Sequence, residues 1–223
     1  MKAIEFLRNN LKSVIVTLSL ALILIISMSI VIPVTCNAIK NDKAEEILDY
    51  YDTIDYDRNK KLDSLRVEII NEIDNYMTSI APKHEVDASW LFGMCDIYCV
   101  DVRLALAQGQ IESHYATAGT AKKTKSIFNV GAYDGHSASR QCKNGFCFNN
   151  PNESIEPYLI LLTEKYLVNG KTEQDLMNNF VNYKGMRYAS SKTYEKAIKS
   201  TYNKINRTTK LDILLQEYND AKN

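Results

Sequence analysis

The sequence predicts a mainly helical (α+β) protein: a helical domain carrying one small β-hairpin lobe, preceded by a single N-terminal transmembrane helix. Three observations carry this. Apolar residues recur at helical spacing through most of residues 59–223, a polar stretch rich in small residues, Gly and Asn interrupts them over 115–152, and residues 14–34 hold no charge. With 45% hydrophobic and 24% charged residues, the chain is neither collagen-like nor disordered. Its 27 basic and 27 acidic side chains cancel, whereas a nucleic-acid binder needs a cationic surplus, so no nucleic-acid partner is expected.

The run VIVTLSLALILIISMSIVIPV fills residues 14–34. At about 1.5 Å per helical residue it spans a bilayer core of roughly 30 Å. Lys2, Arg8 and Lys12 precede it against Glu5 alone, and the acid-rich KNDKAEEILDYYDTIDYD follows. The positive-inside rule makes residues 1–13 a cytoplasmic tip, 14–34 a signal-anchor and the rest exported. A cleaved signal peptide is the alternative, but its apolar core is usually about 7–15 residues, shorter than this run. Residues 36–58 read as an acidic juxtamembrane stalk, and 59–223 as the folded domain. In that domain Leu62, Leu65, Ile69, Ile70, Ile73, Met77 and Ile80 mark a helix that Ala81-Pro82 stops. Helices follow near 87–98, with Trp90 expected in the core, and 101–114, with Val100, Leu104, Ala107 and Ile111 as the apolar stripe. After the insertion, helical spacing resumes at 153–168, 173–182, 191–205 and 209–220, with Asn152 and Thr172 as N-caps.

Export permits disulfides. In Gln141-Cys-Lys-Asn-Gly-Phe-Cys-Phe148 the Asn144-Gly145 pair is a strong type I′ hairpin signal. Such a turn sets Cys142 opposite Cys147 at about 4.5 Å between Cα atoms, within disulfide range, and that bridge is expected. Cys95 and Cys99 stand i,i+4 on a helix, where bridging is awkward; they read as core thiols, or as a bonded pair only if the helix breaks nearby. His84, His114 and His136 lack ligand spacing, so neither a metal nor a cofactor is expected.

The chemistry-bearing stretch lies where helix meets insertion. Glu112 sits near a helix C-terminus beside the apolar stripe, with Gln108 one turn earlier. The partial negative charge of the helix end and the loss of water both raise a carboxyl pKa. A carboxyl group kept protonated near neutral pH suits protonation of a glycosidic leaving oxygen. The run Ala107-Gln-Gly-Gln-Ile-Glu-Ser113 resembles the helix end of the glucosaminidase family of peptidoglycan hydrolases, which has a lysozyme-like fold. Ser126-Ile-Phe-Asn-Val-Gly131, Asn152-Glu-Ser-Ile-Glu-Pro-Tyr158 and Arg187-Tyr-Ala-Ser-Ser-Lys-Thr-Tyr194 are similar to three further family segments, in the family's order.

The resemblance implies Glu112 as catalytic acid and peptidoglycan glycan as substrate, from a bacterial or phage source. The chain departs from the family at His114-Tyr115-Ala116, where a Gly-Trp-Gly is usual. Asp134 is the nearest candidate for a second acid, and a turn-capping role is its ordinary alternative. Sugars present flat apolar faces rimmed by hydroxyls, so Gln108, Phe128, Asn129, Tyr133 and Tyr188 are the expected substrate contacts; ordinary core packing is the other reading of Phe128. The expected activity is that of an endo-β-N-acetylglucosaminidase, with a muramidase, a lytic transglycosylase or an inactive wall-binding or virion structural module as alternatives. The neutral total also hides a division. Residues 36–110 hold 8 basic and 15 acidic side chains, and residues 111–223 hold 16 and 11, so the later part suits an anionic wall.

Overall fold

The computed structural model describes residues 56–131, 138–143 and 145–222. The apolar run 14–34, nearly all of the stalk, Tyr133 and Asp134 lie outside the described residues. Among those described, no helix is long and apolar enough to cross a membrane.

Helix α1 (Tyr56–Ile80) buries Leu65, Ile69, Ile73, Tyr76 and Met77, a stripe at three- and four-residue spacing. It ends at Ile80; Ala81 N–H still bonds Met77 O at 2.8 Å, and Pro82 beyond it has no N–H to offer. Helix α2 (Ala88–Ile97) starts at Asp87, whose carboxylate accepts from the backbone N–H groups of Ser89 and Trp90 at 2.8 and 3.0 Å. Its inner face is Ala88, Leu91, Phe92 and Cys95. Trp90, expected in the core, is instead 45% exposed, because it lies across the helix from that stripe. The helix breaks before Cys99, which has φ +52°, and Val100 N–H closes back on Cys95 O at 2.9 Å. Both thiols are free nonetheless: Cys95 is buried and Cys99 exposed.

Helix α3 (Val102–Ser113) is the central element, buried at every position from Leu104 to Gly109. Small residues make that possible. A Cβ on Gly109 would lie 3.0 Å from Ile127 Cγ2 and 3.1 Å from the Tyr115 ring. Helix α8 (Tyr194–Thr208) packs antiparallel against it: the start of α3 meets the end of α8, and the end of α3 meets the start of α8. At the first junction Arg103 binds Asp101, Asn206 and Asp212, while Tyr202 OH donates to Asp101 at 2.6 Å. Helix α9 (Leu211–Lys222) closes the body over α1 and α2, with Tyr218 OH on Asp96 and the Tyr218 ring edge-on to Phe92.

Among the described residues, four shorter helices come between α3 and α8: α4 (Ala121–Thr124), α5 (Ala138–Lys143), α6 (Ile155–Leu161) and α7 (Glu173–Asn178). The expected single helix over 153–168 is a 3₁₀ turn (Pro151–Ser154), α6 and a π turn (Leu162–Tyr166) in succession. Asn150, not Asn152, caps the 3₁₀ turn; Asn152 accepts from Asp87 N–H at 2.8 Å and so ties this turn to the start of α2. Thr172 caps α7 in a reciprocal capping box with Asp175. That helix ends at Asn178, four residues earlier than the period suggests.

The β-hairpin lobe is corrected. The Cys142–Cys147 disulfide is present, with Cα atoms 4.7 Å apart, but it closes the turn that leaves α5 rather than joining two strands. Helical backbone through Lys143 excludes a strand there, and Gly145, at φ +81°, bonds back to Cys142 O. Among the described residues the sheet-type pairing is one isolated bridge, Val181 to Arg187.

Three consecutive residues after α3 adopt left-handed backbone: His114 (φ +46°), Tyr115 (+56°) and Ala116 (+65°). Each costs about 1 kcal/mol relative to glycine-compatible geometry. Ser113 holds the turn, its hydroxyl donating to Ile127 O at 2.6 Å and accepting from Ala116 N–H at 2.7 Å. Tyr115 is buried, and its OH donates to Leu106 O. His114 is exposed, so its side chain contributes little to offset its strain. His114→Gly is therefore expected to raise the unfolding free energy by about 0.5–1 kcal/mol. Urea denaturation measures this, and an unchanged or lower midpoint refutes the strain argument.

Candidate active site

Glu112 lies one residue from the end of α3, half-buried, and its side chain is held from two directions. Tyr194 OH, from the first residue of α8, donates to Oε1 at 2.6 Å. Asn129 Nδ2, from the segment after α4, reaches Oε2 at 3.3 Å and the Glu112 backbone carbonyl at 2.8 Å. Asn129 can do this because its own backbone is left-handed, φ +50°.

Behind Tyr194 the bonds continue in one sense. Gln108 Nε2 donates to Tyr194 OH at 3.0 Å, and Tyr158 OH, from α6, donates to Gln108 Oε1. Gln108 lies one turn before Glu112, so the helical repeat itself aligns the two side chains. The result is a relay from Tyr158 through Gln108 and Tyr194 to Glu112.

Desolvation is the largest influence on Glu112 and raises its pKa, while the hydrogen bonds from Tyr194 and Asn129 lower it; the net shift is upward. Burial first, then Tyr188 and Glu112, hold the Tyr194 hydroxyl well above its ordinary value, so it remains a donor. A carboxyl group in this setting can keep a proton and deliver it to an oxygen brought to its open side.

The expected site residues separate by accessibility. Gln108 and Phe128 are both 0% exposed, so neither touches substrate. Gln108 serves the relay, and Phe128 stacks on Tyr158 with centroids 3.6 Å apart, backing the relay's far end. Asn129 positions Glu112. Tyr188 is half-buried; its OH donates to Phe128 O at 2.9 Å and its ring stacks on Tyr194 at 5.7 Å. Sequence reasoning assigned no role to Tyr194 or Tyr158. Both stood as the last residue of a family-like segment, Arg187–Tyr194 and Asn152–Tyr158, which was the signal available. Among the described residues no group of His, Cys, Asp and Glu is placed to hold a metal ion. A cleft of about 330 Å³ lies at the opposite end of α3, beside Asp96, Asp101, Arg103 and Tyr218, away from Glu112.

Comparison with known families places these residues in context. The model of the glucosaminidase family, described as mannosyl-glycoprotein endo-beta-N-acetylglucosaminidase, matches residues 93–207. Neither the curated proteins nor the solved structures give a match. The family match covers just over half of the chain and takes in the whole constellation of Gln108, Glu112, Asn129, Tyr158, Tyr188 and Tyr194. The chain belongs to the glucosaminidase family, a family of glycoside hydrolases suited to peptidoglycan.

Proposed function

We propose that this protein cleaves the β-1,4 glycan strand of peptidoglycan as an endo-β-N-acetylglucosaminidase, with Glu112 as general acid. The observation that carries the reading is a carboxyl group raised in pKa by burial and oriented by Tyr194 and Asn129. Protonated Glu112 gives its proton to the glycosidic oxygen as the bond to the anomeric carbon breaks. The deprotonated carboxylate then activates the water that completes hydrolysis. The group that meets the anomeric carbon is either Asp134 or the N-acetyl oxygen of the substrate itself. Asp134→Asn separates these routes: a loss of about 10²-fold or more assigns the step to Asp134, and an unchanged rate assigns it to the substrate. The charge-free run 14–34 and its flanking charges support a signal-anchor that holds the enzyme on the outer side of the membrane, facing the wall.

Glu112→Gln is expected to lower the rate of peptidoglycan cleavage by about 10²-fold or more, measured as new reducing ends. Equal activity in the variant would sink the assignment. Mass spectrometry of the digest is expected to show reducing N-acetylglucosamine ends; reducing or anhydro N-acetylmuramic ends would assign a muramidase or a lytic transglycosylase instead.

The raised pKa has a signed consequence for both activity and stability. Activity that needs protonated Glu112 is lost as pH rises through that pKa. In the unfolded chain a glutamate titrates near about 4.3. Because the folded value is higher, the favourable contribution of Glu112 to stability is complete below that pH and lost as pH rises through the folded pKa. Denaturation of wild type and Glu112→Gln across pH is expected to show the wild type losing ground to the variant over this interval. A constant difference contradicts the shift. Tyr194→Phe removes a bond that lowers the pKa, so its alkaline limb of activity is expected to move to higher pH while kcat falls. A limb that stays in place or moves lower contradicts the contact.

A further inference from the structure

The loop Val181–Arg187, between α7 and α8, carries features that the acid and its relay do not use. Its backbone is locked. Asn182 N–H bonds Met186 O, Asn182 Oδ1 accepts from the N–H groups of Lys184 and Met186 at 2.9 and 3.0 Å, and Tyr183 N–H bonds Lys165 O at 2.9 Å. Gly185, at φ +76°, supplies the reversal. Yet the tip of this fixed loop presents its apolar side chains to water: Tyr183 is 48% and Met186 57% exposed.

Two ammonium groups converge on the same tyrosine. Lys165 Nζ is 5.7 Å and Lys184 Nζ 5.5 Å from the centroid of the Tyr183 ring. Among the described residues neither lysine has a carboxylate partner; the ion pairs employ other cations. Two acids on the flanking helices are engaged elsewhere. Glu195 is held by Arg187, and Asp175 by Thr172. Two like charges brought to one ring, neither of them in an ion pair among the described residues, repel each other and attract an anion.

The loop also adjoins the site. Tyr188 follows it directly, and the Tyr188 ring stacks on Tyr194, whose hydroxyl lies on Glu112.

We propose that Tyr183, Met186, Lys165 and Lys184 form a subsite for an acidic muropeptide unit. A sugar face rests on Met186 and the exposed part of Tyr183, while a stem-peptide carboxylate pairs with the ammonium groups of Lys165 and Lys184. The proposal rests on the peptidoglycan-hydrolase reading and adds to it a charge requirement on the substrate. Because the backbone is already fixed, little ordering opposes binding.

The test is sedimentation of the purified full-length chain with insoluble peptidoglycan stripped of teichoic acid. The double variant Lys165→Gln/Lys184→Gln, and separately Tyr183→Ala, are expected to weaken binding about 5- to 10-fold, the scale of an exposed ion pair or cation–π contact made twice. A Lys165→Arg/Lys184→Arg variant keeps the charges and is expected to retain binding. Amidation of the wall carboxylates is expected to weaken the wild type to a similar degree and to leave the double Gln variant unchanged. A double Gln variant or a Tyr183→Ala variant that binds like the wild type overturns the proposal, as does a double Gln variant that remains as sensitive to amidation as the wild type. Binding that disappears with the teichoic acid also overturns it, assigning a phosphate polymer. The hydrolase reading fails separately, if the wild type releases no new ends while these binding ratios hold.

Discussion

Glu112 keeps its orientation because α3 cannot slide against α8. The antiparallel pair is fastened at both ends. At one, Arg103 and Tyr202 converge on Asp101; at the other, Gln108 and Tyr194 meet beside the acid. A shift of one residue along α3, about 1.5 Å, would exceed the reach of a 2.6 Å hydrogen bond from Tyr194. Burial and donors act in opposite directions on this carboxyl group. Two donors orient it, and desolvation still prevails, so the net shift is upward. Further donors would favour the charged form and lower the pKa.

The relay behind Tyr194 has a fixed polarity that depends on an amide at position 108. Gln108 accepts from Tyr158 through its oxygen and donates to Tyr194 through its nitrogen. A carboxylate there would have no N–H for the Tyr194 oxygen. It would draw the Tyr194 proton toward itself and away from Glu112. Breaking such a buried chain leaves at least one polar group without a partner, at about 1–3 kcal/mol. Gln108 therefore governs the site while remaining wholly enclosed, and its burial is a condition of its role.

Local sequence information revealed those parts of the fold that local physics determines. The stripe from Leu65 to Met77, the Pro82 stop, the Thr172 capping box and the placing of Glu112 at a helix end all follow from period and capping. What needed the third dimension was less visible. Trp90 and Leu91 are neighbours in sequence, yet one faces water and the other the core, which depends on where α2 docks. Gln108 and Phe128 have the chemistry of sugar contacts, but packing by α6 and α8 encloses them. Tyr194 is 82 residues from the acid it touches, and no spacing rule spans that interval. The expected disulfide closes and Gly145 bonds back to Cys142, while the helical residues before them decided that no strand would enter there.

The departure at His114-Tyr115-Ala116 has its explanation in the end of α3. The last carbonyls of a helix lack intrahelical donors. Here the Glu112 carbonyl receives Asn129 Nδ2 at 2.8 Å, and the same nitrogen reaches the Glu112 carboxylate. For Asn129 to arrive there, the chain must turn back sharply after Ser113, and three left-handed residues produce that reversal. Glycine would adopt it with less strain, but backbone conformation, not the absence of a side chain, is what the site requires. Ser113 supplies the compensation by bonding across the turn to both Ala116 and Ile127. One amide group thus completes the helix end and orients the acid together, so the same strained turn that ends α3 also sets the direction from which Glu112 is held.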